Sequence, residues 1–267
     1  MHKKIGICGC GWLGLPLAMQ LKARGYTVLG TSRNKDKLKF MAEQGIQAFE
    51  YSLGAPLPWS AAPPDVLVIN IPPGRREFDE VRFVAAMTAL INQALVQKSH
   101  ILFISSTSVY GEVSGEIFET TQTHPVTASA KAHAIIEQQV LQGSGTILRL
   151  AGLTGPARHP VRHLSGRVLD KGQQPINLVH QQDVITAIKA IIVQQLWRQT
   201  FHLSATEHPS RAEFYTWAAT AAGLAVPQFS QGNNAEAGRW INASATLDKL
   251  GFTLQYPSPY DMPIEIG

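Results

Sequence analysis

The chain has 267 residues, of which 45% are apolar and 16% charged, and its formal net charge is +4 at pH 7. These values are ordinary for a globular protein and exclude a disordered or low-complexity chain. No stretch of five or more basic residues occurs, so nothing indicates nucleic-acid binding. Cys8 and Cys10 are too close for an ordinary disulfide and too few for a zinc site. We expect a cytoplasmic protein without a metal site.

The N-terminal segment could be mistaken for a signal peptide, because Lys3 and Lys4 precede an uncharged run over residues 5–21. Three glycines and Pro16 interrupt that run, and no cleavage-type pattern follows it. No other stretch approaches the ~18 apolar residues that a membrane span requires. We therefore expect neither a cleaved leader nor a membrane partner.

Short apolar runs alternate with amphipathic stretches through the first two thirds of the chain, which is typical of βαβ units. Strands are predicted over residues 4–8, 26–31, 47–51, 66–70, 100–105 and 146–150. Apolar residues recur at spacings of three and four over 77–96, which predicts a helix there, and a second helix is predicted over 129–141. The predicted fold class is α/β, with a doubly wound parallel Rossmann sheet.

Glycines and prolines after residue 150 indicate irregular structure, followed by a return to alternating elements. A strand is predicted over 176–179, a helix over 183–194 and a strand over 201–204. Ser210 and Glu213 predict a capping box for a helix through Ala222, and Gly251 should end a last short helix. We predict a Rossmann domain from 1–155 with 176–206, and a small C-terminal substrate lobe from 156–175 with 207–267.

A G-x-G-x-x-G motif, formed by Gly9, Gly11 and Gly14 with Trp12 and Leu13 between the last two, lies between the first predicted strand and a predicted helix. In that context the first glycine permits a tight turn, the second lets a pyrophosphate approach, and the third lets helix and strand pack closely. N–H groups at the helix start would face the anion. We predict that these residues bind a dinucleotide; the alternative is a turn without a ligand.

The residues after the second predicted strand bear on the choice of dinucleotide. An NAD site usually has an acidic residue there to bind the ribose, and residues 30–35 contain none at that place. Ser32 and Arg33 could instead donate to a 2′-phosphate, in bonds worth roughly 1.5 to 3 kcal/mol. NADP is therefore the predicted cofactor and NAD is less favoured; alternatively, Arg33 is a solvated surface residue. Ile71 and Pro72 complete the predicted cofactor site.

Residues 103–111, F-I-S-S-T-S-V-Y-G, resemble the S-S-x-x-V-Y-G segment of extended short-chain dehydrogenases/reductases of the NAD-dependent epimerase/dehydratase type. Residues 176–184 resemble that family's I-N-x-V-H-x-x-D-V pattern. Together with the glycine motif and residues 149–156, the resemblance extends over nearly the whole chain, and it is strongest to an atypical, YeeZ-like bacterial subgroup. It implies an oxidoreductase or epimerase acting on a small polar or nucleotide-linked substrate, and a homodimer formed through the helices predicted over 77–96 and 129–141.

The family's reaction uses a Tyr-x-x-x-Lys pair and an upstream serine or threonine. The resemblance places Ser106 at the serine position and Lys131 at the lysine position, but Thr127 stands where the tyrosine is expected. A threonine hydroxyl is far too weak an acid, so an acid–base contribution of about 10² to 10⁴ in rate would be missing. Lys131 could still bind the nicotinamide ribose, as its family counterpart does.

Another group could replace the missing tyrosine. Tyr110, which follows the same predicted strand as Ser106, is the first candidate, and His133 and Ser129 are alternatives on the helix of Lys131. If no group does so, the chain is instead a non-catalytic regulator or sensor that binds NADP(H).

Polar residues later in the chain divide into structural and substrate-binding candidates. His180 and Asp183 lie at a predicted helix start, where an acidic residue complements the macrodipole, and we expect them to be structural. Guanidinium groups suit a pyrophosphate, so some arginines could bind an anionic substrate; the alternative for each is an ordinary surface position. These arginines are Arg149, Arg158, Arg211 and Arg239.

Overall fold

The structure is a computed structural model that describes residues 3–74, 78–230 and 238–266. Within these ranges the strands are β1 (Lys4–Cys8), β2 (Thr27–Ser32), β3 (Gln47–Glu50), β4 (Val66–Ile69), β5 (His100–Ser106), β6 (Gly115–Ile117), β7 (Thr146–Leu150), β8 (Gly152–Thr154), β9 (Val168–Leu169), β10 (Leu178–His180), β11 (Thr200–Leu203), β12 (Gln228–Phe229) and β13 (Arg239–Ile241). The helices are α1 (Gly14–Ala23), α2 (Lys35–Glu43), α3 (Glu80–Val96), α4 (Ala128–Gln142), α5 (Val161–Leu164), α6 (Gln181–Gln194), α7 (Arg211–Ala221) and α8 (Ser244–Leu250), with 3₁₀ turns at Thr107–Tyr110 and Pro259–Asp261.

The chain forms two compact units. The first comprises residues 1–109, 125–149 and 191–201, and the second comprises 110–124, 150–190 and 202–267. This division differs from the predicted boundaries, which assigned 110–124 and all of 176–190 to the Rossmann domain. The difference has a physical cause, because these segments contain β6 and β10, which pair with β13 and β8 and not with the central sheet.

The central sheet has seven parallel strands in the order β11-β7-β5-β4-β1-β2-β3. Strand β1 lies beside both β2 and β4, with Ile5 paired to Val28 on one side and to Val66 on the other. The order of connection reverses at β1 and β4, which is the topological switch point of a doubly wound sheet. The predicted Rossmann fold is therefore confirmed.

Helices α3 and α4 cover one part of this sheet with apolar side chains. The shared core contains Met87, Leu90, Ile91 and Ala94 from α3 and Ile136 and Val140 from α4, packed on strand residues such as Leu67, Phe103 and Ile147. The predicted helix is thus confirmed, with α3 beginning at Glu80 after the N-cap Asp79, but its predicted apolar stripe is only partly buried, since Ile91 is buried whereas Val81 is 80% exposed. Glu77, the first residue of the predicted helix, lies outside the described residues.

The second unit is built from short parallel strand pairs and a separate apolar cluster. Strands β8 and β10, β9 and β12, and β6 and β13 form these pairs. Its core gathers around Phe214, Tyr215 and Ala218 of α7. The predicted capping box of Ser210 and Glu213 opens this helix, so that prediction is confirmed. Among the described residues, no helix combines the length and the apolar character needed to cross a membrane.

Candidate functional site

The turn after β1 depends on a glycine at position 9. Gly9 has φ of +99°, and a Cβ there would lie 2.4 Å from the carbonyl oxygen of Asn70. Its N–H donates to Thr31 Oγ1 at 3.0 Å, and its carbonyl accepts from Asn70 Nδ2 at 3.2 Å. Both the N–H and the carbonyl of Gly9 are therefore held by side chains near the carboxyl ends of two neighbouring strands, β2 and β4. Sequence reasoning missed Thr31 and Asn70, because no motif marks them.

The other two glycines have contrasting surroundings. A Cβ on Gly14 would lie 2.2 Å from the Gly9 carbonyl oxygen, so only glycine lets α1 begin this close to β1. A Cβ on Gly11, by contrast, would meet no described residue within 4 Å apart from its two chain neighbours. Leu13 is buried at the start of α1, and Trp12 is half-buried. The loop thus closes on itself at both ends and leaves open space at its middle glycine, as a backbone that receives a pyrophosphate must.

This loop lies at the carboxyl end of β1, beside the carboxyl end of β4. In open α/β sheets, ligands bind outside the carboxyl ends of the strands at the switch point. Ile71, which is half-buried, and Pro72, which is exposed, follow β4 after Asn70. The topology therefore brings the predicted cofactor residues 71 and 72 to the same edge as the glycine loop.

Ser32 and Arg33 follow at the end of β2, the next strand of the sheet. Ser32 Oγ accepts the N–H of Asn34 at 3.1 Å, and Asn34 in turn caps α2 through the N–H of Lys37 at 2.8 Å. The Ser32 hydroxyl proton remains available to donate, and the Arg33 side chain is exposed. Both predicted 2′-phosphate ligands are thus placed where a dinucleotide on the glycine loop could extend.

The two cysteines are packing residues. Both are free and buried, and burial raises the pKa of the Cys10 thiol to about 12. A Cβ on Gly30 would lie 2.8 Å from Cys10 Sγ, which shows how tightly the thiol fits between strands. A thiol in this protonated state is a poor nucleophile.

The residues at the predicted catalytic positions lie at the end of β5 and the start of α4. Ser106 is half-buried, and its Oγ accepts the N–H of Ser108 at 3.1 Å. Thr127 is the N-cap of α4, with Oγ1 accepting the N–H of Ala130 at 3.2 Å. Lys131 follows one turn later with an exposed side chain. No hydrogen bond among the described residues joins Ser106 to Lys131 or Thr127.

Tyr110 belongs to the second unit and is fully buried. Its hydroxyl lies 3.2 Å from the carbonyl oxygen of Phe118 and 3.0 Å from Nδ1 of His202. A group in this position has internal partners and no contact with solvent, which argues against the predicted role of Tyr110 as proton donor to a substrate. Of the two alternatives, Ser129 Oγ lies 3.2 Å from Thr127 Oγ1, and burial lowers the pKa of His133 to about 4.

Arg149 is not available to an anionic substrate, contrary to the prediction. It is buried in the first unit, and its Nη2 lies 2.7 Å from Glu137 Oε2. The cause is the helix α4, which places a carboxylate against the strand that carries the arginine. Nothing in the local sequence pairs residues 137 and 149.

Arg211 and Arg239 line a cavity of about 640 Å³ in the second unit. Arg239 donates to the carbonyl of Gly111, and burial lowers its pKa while nearby Glu112 opposes that shift. Lys171 lies 3.6 Å from Glu112. The lining carries more cationic than anionic groups, and the remaining residues are Val113, Ser114, Gln174, Pro175, Asn177 and Gly238. Arg158 is exposed and is not among the lining residues.

Asp183 has a structural role at the start of α6, as expected. Its carboxylate accepts the N–H groups of Gln255 and Tyr256 at 2.7 and 3.2 Å. Burial raises the pKa of this carboxyl, and the two hydrogen bonds oppose the shift. His180 is buried beside the ring of Tyr256. Within the described parts of the chain, no three His, Cys, Asp or Glu side chains come together as a metal site.

Comparison with known proteins relates the chain to one family and to a group of folds. Residues 4–122 match the model of the NAD binding domain of 6-phosphogluconate dehydrogenase. Protein YeeZ of Escherichia coli K12 is 37% identical over 98% of this chain and 100% of its own length.

Two solved structures have the same fold. The UDP-glucuronic acid 4-epimerase of Bacillus cereus, in complex with NAD, is 19% identical with a TM-score of 0.77, over 95% of this chain and 94% of its own. The ADP-L-glycero-D-manno-heptose-6-epimerase of Helicobacter pylori is 16% identical with a TM-score of 0.79, over 96% and 92%. The fold is therefore that of NAD-binding epimerases and short-chain dehydrogenases.

Proposed function

The chain belongs to the same family as Protein YeeZ, and from this and the site we propose that it binds a nicotinamide dinucleotide and acts as an oxidoreductase or epimerase. Its substrate would be a small polar or nucleotide-linked molecule. The observation that carries the proposal is the glycine loop at the switch point of the sheet. Gly9 and Gly14 are required by the loop's own contacts, whereas Gly11 faces space that no described residue of the first unit fills.

The residues at the end of β2 favour NADP over NAD within this proposal. A carboxylate there would repel a 2′-phosphate, and residues 31–35 contain no acid. The exposed Arg33 guanidinium and the Ser32 hydroxyl can both donate to phosphate oxygens. The B. cereus epimerase holds NAD, so the preference for NADP rests on Ser32 and Arg33 alone.

The cavity of the second unit supports an anionic substrate. Arg211 and Arg239 line it together with Lys171, and guanidinium groups bind phosphate oxygens in pairs of hydrogen bonds. Its volume of about 640 Å³ falls in the range of small-molecule sites. The solved structures of similar fold include epimerases of nucleotide-linked sugars. A substrate that carries a phosphate or pyrophosphate would use this cavity.

A bound nicotinamide ring would accept or donate a hydride. The chain itself would hold the ribose through the ammonium of Lys131 and the reacting oxygen of the substrate through Ser106 Oγ. The donor that replaces a tyrosine is not supplied by Thr127, whose hydroxyl caps α4, nor by the buried Tyr110.

This gap favours a second candidate function, a regulator that binds NADP(H) without turnover. The observation behind it is the use of the Thr127 hydroxyl as a helix cap, which leaves the tyrosine position without an acid. The two functions share the cofactor and differ in whether hydride transfer follows.

Fluorescence titration with NADPH and NADH tests the shared cofactor, and the half-buried Trp12 in the glycine loop provides a local reporter. We expect saturable binding of both, tighter for NADPH. Assays of NADPH oxidation against phosphorylated and nucleotide-linked carbonyl compounds, with and without Arg239→Ala, then test the reaction. Turnover that needs Arg239 supports the enzyme; binding without any turnover supports the regulator.

A further inference from the structure

Four polar side chains are buried together between α4 and the central sheet of the first unit. Ser105, His133, Glu137 and Arg149 are each at most 7% exposed. Ser105 Oγ on β5 donates to Glu137 Oε1 on α4 at 2.6 Å, and His133 Nδ1 lies 3.2 Å from Ser105 Oγ. Arg149 on β7 binds Glu137 with Nη2 at 2.7 Å from Oε2 and Nε at 3.0 Å from Oε1.

The directions of these hydrogen bonds follow from the protons available. Ser105 has one hydroxyl proton, and the short distance to the carboxylate assigns it to Glu137. The Ser105 oxygen then accepts from an Nδ1–H of His133. Burial lowers the pKa of this histidine to about 4, so the ring is neutral at pH 7 and one nitrogen carries the proton. The four groups therefore form one ordered chain of donors and acceptors.

Such a cluster adds little net stability, because the desolvation of a buried ion pair offsets much of its attraction. The surrounding residues, among them Phe103, Ile136 and Ile147, show that apolar packing is available at this place. The directional hydrogen bonds instead fix the position of α4 along β5 and β7, because any shift of the helix would leave buried charges unpaired.

The position of α4 matters because two candidate site residues, Ser106 and Lys131, are close in sequence to members of this cluster. Ser105 directly precedes Ser106 at the end of β5, and His133 and Glu137 are on the helix that carries Lys131. We propose that the buried Ser105–Glu137 hydrogen bond, anchored by Arg149, positions Ser106 and Lys131 toward the nicotinamide half of the bound dinucleotide. Ser105 and Glu137 are then positioning residues. This inference rests on the proposed function, since it assigns Lys131 to the nicotinamide ribose.

The test compares a whole dinucleotide with its adenosine half. Ser105→Ala removes the strand-to-helix hydrogen bond and leaves the pair of Glu137 and Arg149 in place, so the fold is retained. We expect NADPH affinity to fall about 2- to 10-fold, the range for loss of one hydrogen bond. The affinity for adenosine 2′,5′-bisphosphate, which lacks the nicotinamide half, should not change.

Thr88→Val is the matched control. Thr88 Oγ1 lies 2.9 Å from Gln139 Oε1, so this variant also removes a hydroxyl linked to α4, but one on α3 and not on the strand that carries Ser106. We expect it to bind both ligands like the unmutated chain. Adding Ser105→Ala to Lys131→Ala should cause no further loss of NADPH affinity, because of the two positioned residues Lys131 is assigned to the cofactor and Ser106 to the substrate.

Three results would overturn the inference. Ser105→Ala could lower the affinity for NADPH and for the bisphosphate equally, Thr88→Val could lower NADPH affinity as much as Ser105→Ala does, or the losses of NADPH affinity could be additive in the double variant. Failure of the proposed function is distinguishable from these. In that case the unmutated chain binds neither NADPH nor the bisphosphate, and both proposals fall together.

Discussion

The glycine loop and the start of α4 are both predicted from the residue spacing of family motifs. The two regions differ in whether the backbone or a side chain determines the residue at each motif position. In the loop, the backbone itself requires Gly9 and Gly14, because a Cβ at either would collide with a carbonyl oxygen. At the start of α4, the spacing of Thr127 and Lys131 is kept, but the Thr127 hydroxyl serves the helix as its cap. A motif that depends on backbone geometry can be checked directly in the fold. A motif that depends on side-chain chemistry can keep its residue spacing although the acidic side chain has been replaced.

The largest effect is expected in the loop. Gly11→Val should abolish dinucleotide binding, because its side chain would occupy the open space where the pyrophosphate approaches. Since no described residue other than its two chain neighbours lies within 4 Å of the new Cβ, the unfolding midpoint in urea should stay near that of the unmutated chain. Titration with NADPH, beside a urea melt, checks both expectations.

Gly14→Ala is the contrasting control, because its Cβ would lie 2.2 Å from the Gly9 carbonyl oxygen. This variant should lose stability as well as binding. NADPH binding by Gly11→Val at undiminished affinity would remove the loop from the cofactor site.

The second effect concerns stability at α4. The pKa of His133 is lowered from 6.5 to about 4 by burial, so the unfolded chain takes up a proton that the folded chain excludes. The free energy of unfolding should therefore fall as the pH drops from about 6.5 to 4, by roughly 3 kcal/mol from this group. His133→Gln should remove that part of the pH dependence. Urea melts at pH 7.5 and pH 4.5 measure the fall in the free energy of unfolding. An equal fall in the unmutated chain and in His133→Gln would contradict the prediction.

A third effect distinguishes the two cofactors. Arg33→Ala removes a charged donor to a 2′-phosphate, so NADPH affinity should fall about 10-fold or more. NADH affinity should not change, because NADH has no such phosphate. Calorimetric titration of both ligands checks this pair. Parallel losses would show that Arg33 does not select NADPH.

The smallest effect is expected at the helix cap. Thr127→Ala should destabilise the chain by about 1 kcal/mol through loss of the bond to the Ala130 N–H, and Thr127→Ser should restore most of it. Neither change should alter NADPH affinity more than about 2-fold, because Lys131 keeps its place on the helix. A large loss of affinity in the serine variant would give Thr127 a direct role at the ligand.

Local patterns in the sequence predicted much of the fold. The Gly9–Gly14 turn, the capping box of Ser210 and the left-handed Gly251 that ends α8 each depend on a few adjacent residues. Pairings across long separations could not be predicted in the same way. Strand β6 pairs with β13 more than 100 residues later, so residues 110–124 belong to the second unit.

The same limit applies to the candidate site. Tyr110 follows β5 closely in sequence, but its burial beside His202 depends on a segment 92 residues away. The ion pair of Glu137 and Arg149 joins a helix to a strand and has no local signature. Position after a strand therefore predicted the candidate site, whereas the hydrogen-bond partners of each side chain could be found only from the tertiary structure.

A crystal structure of the chain with NADP⁺ would show where each part of the dinucleotide binds. We expect pyrophosphate density over Gly11, the 2′-phosphate against Ser32 and Arg33, and the nicotinamide ribose within hydrogen-bonding distance of Lys131. A fully occupied dinucleotide bound elsewhere, or crystals soaked at saturating NADP⁺ that show no density at the glycine loop, would contradict this expectation.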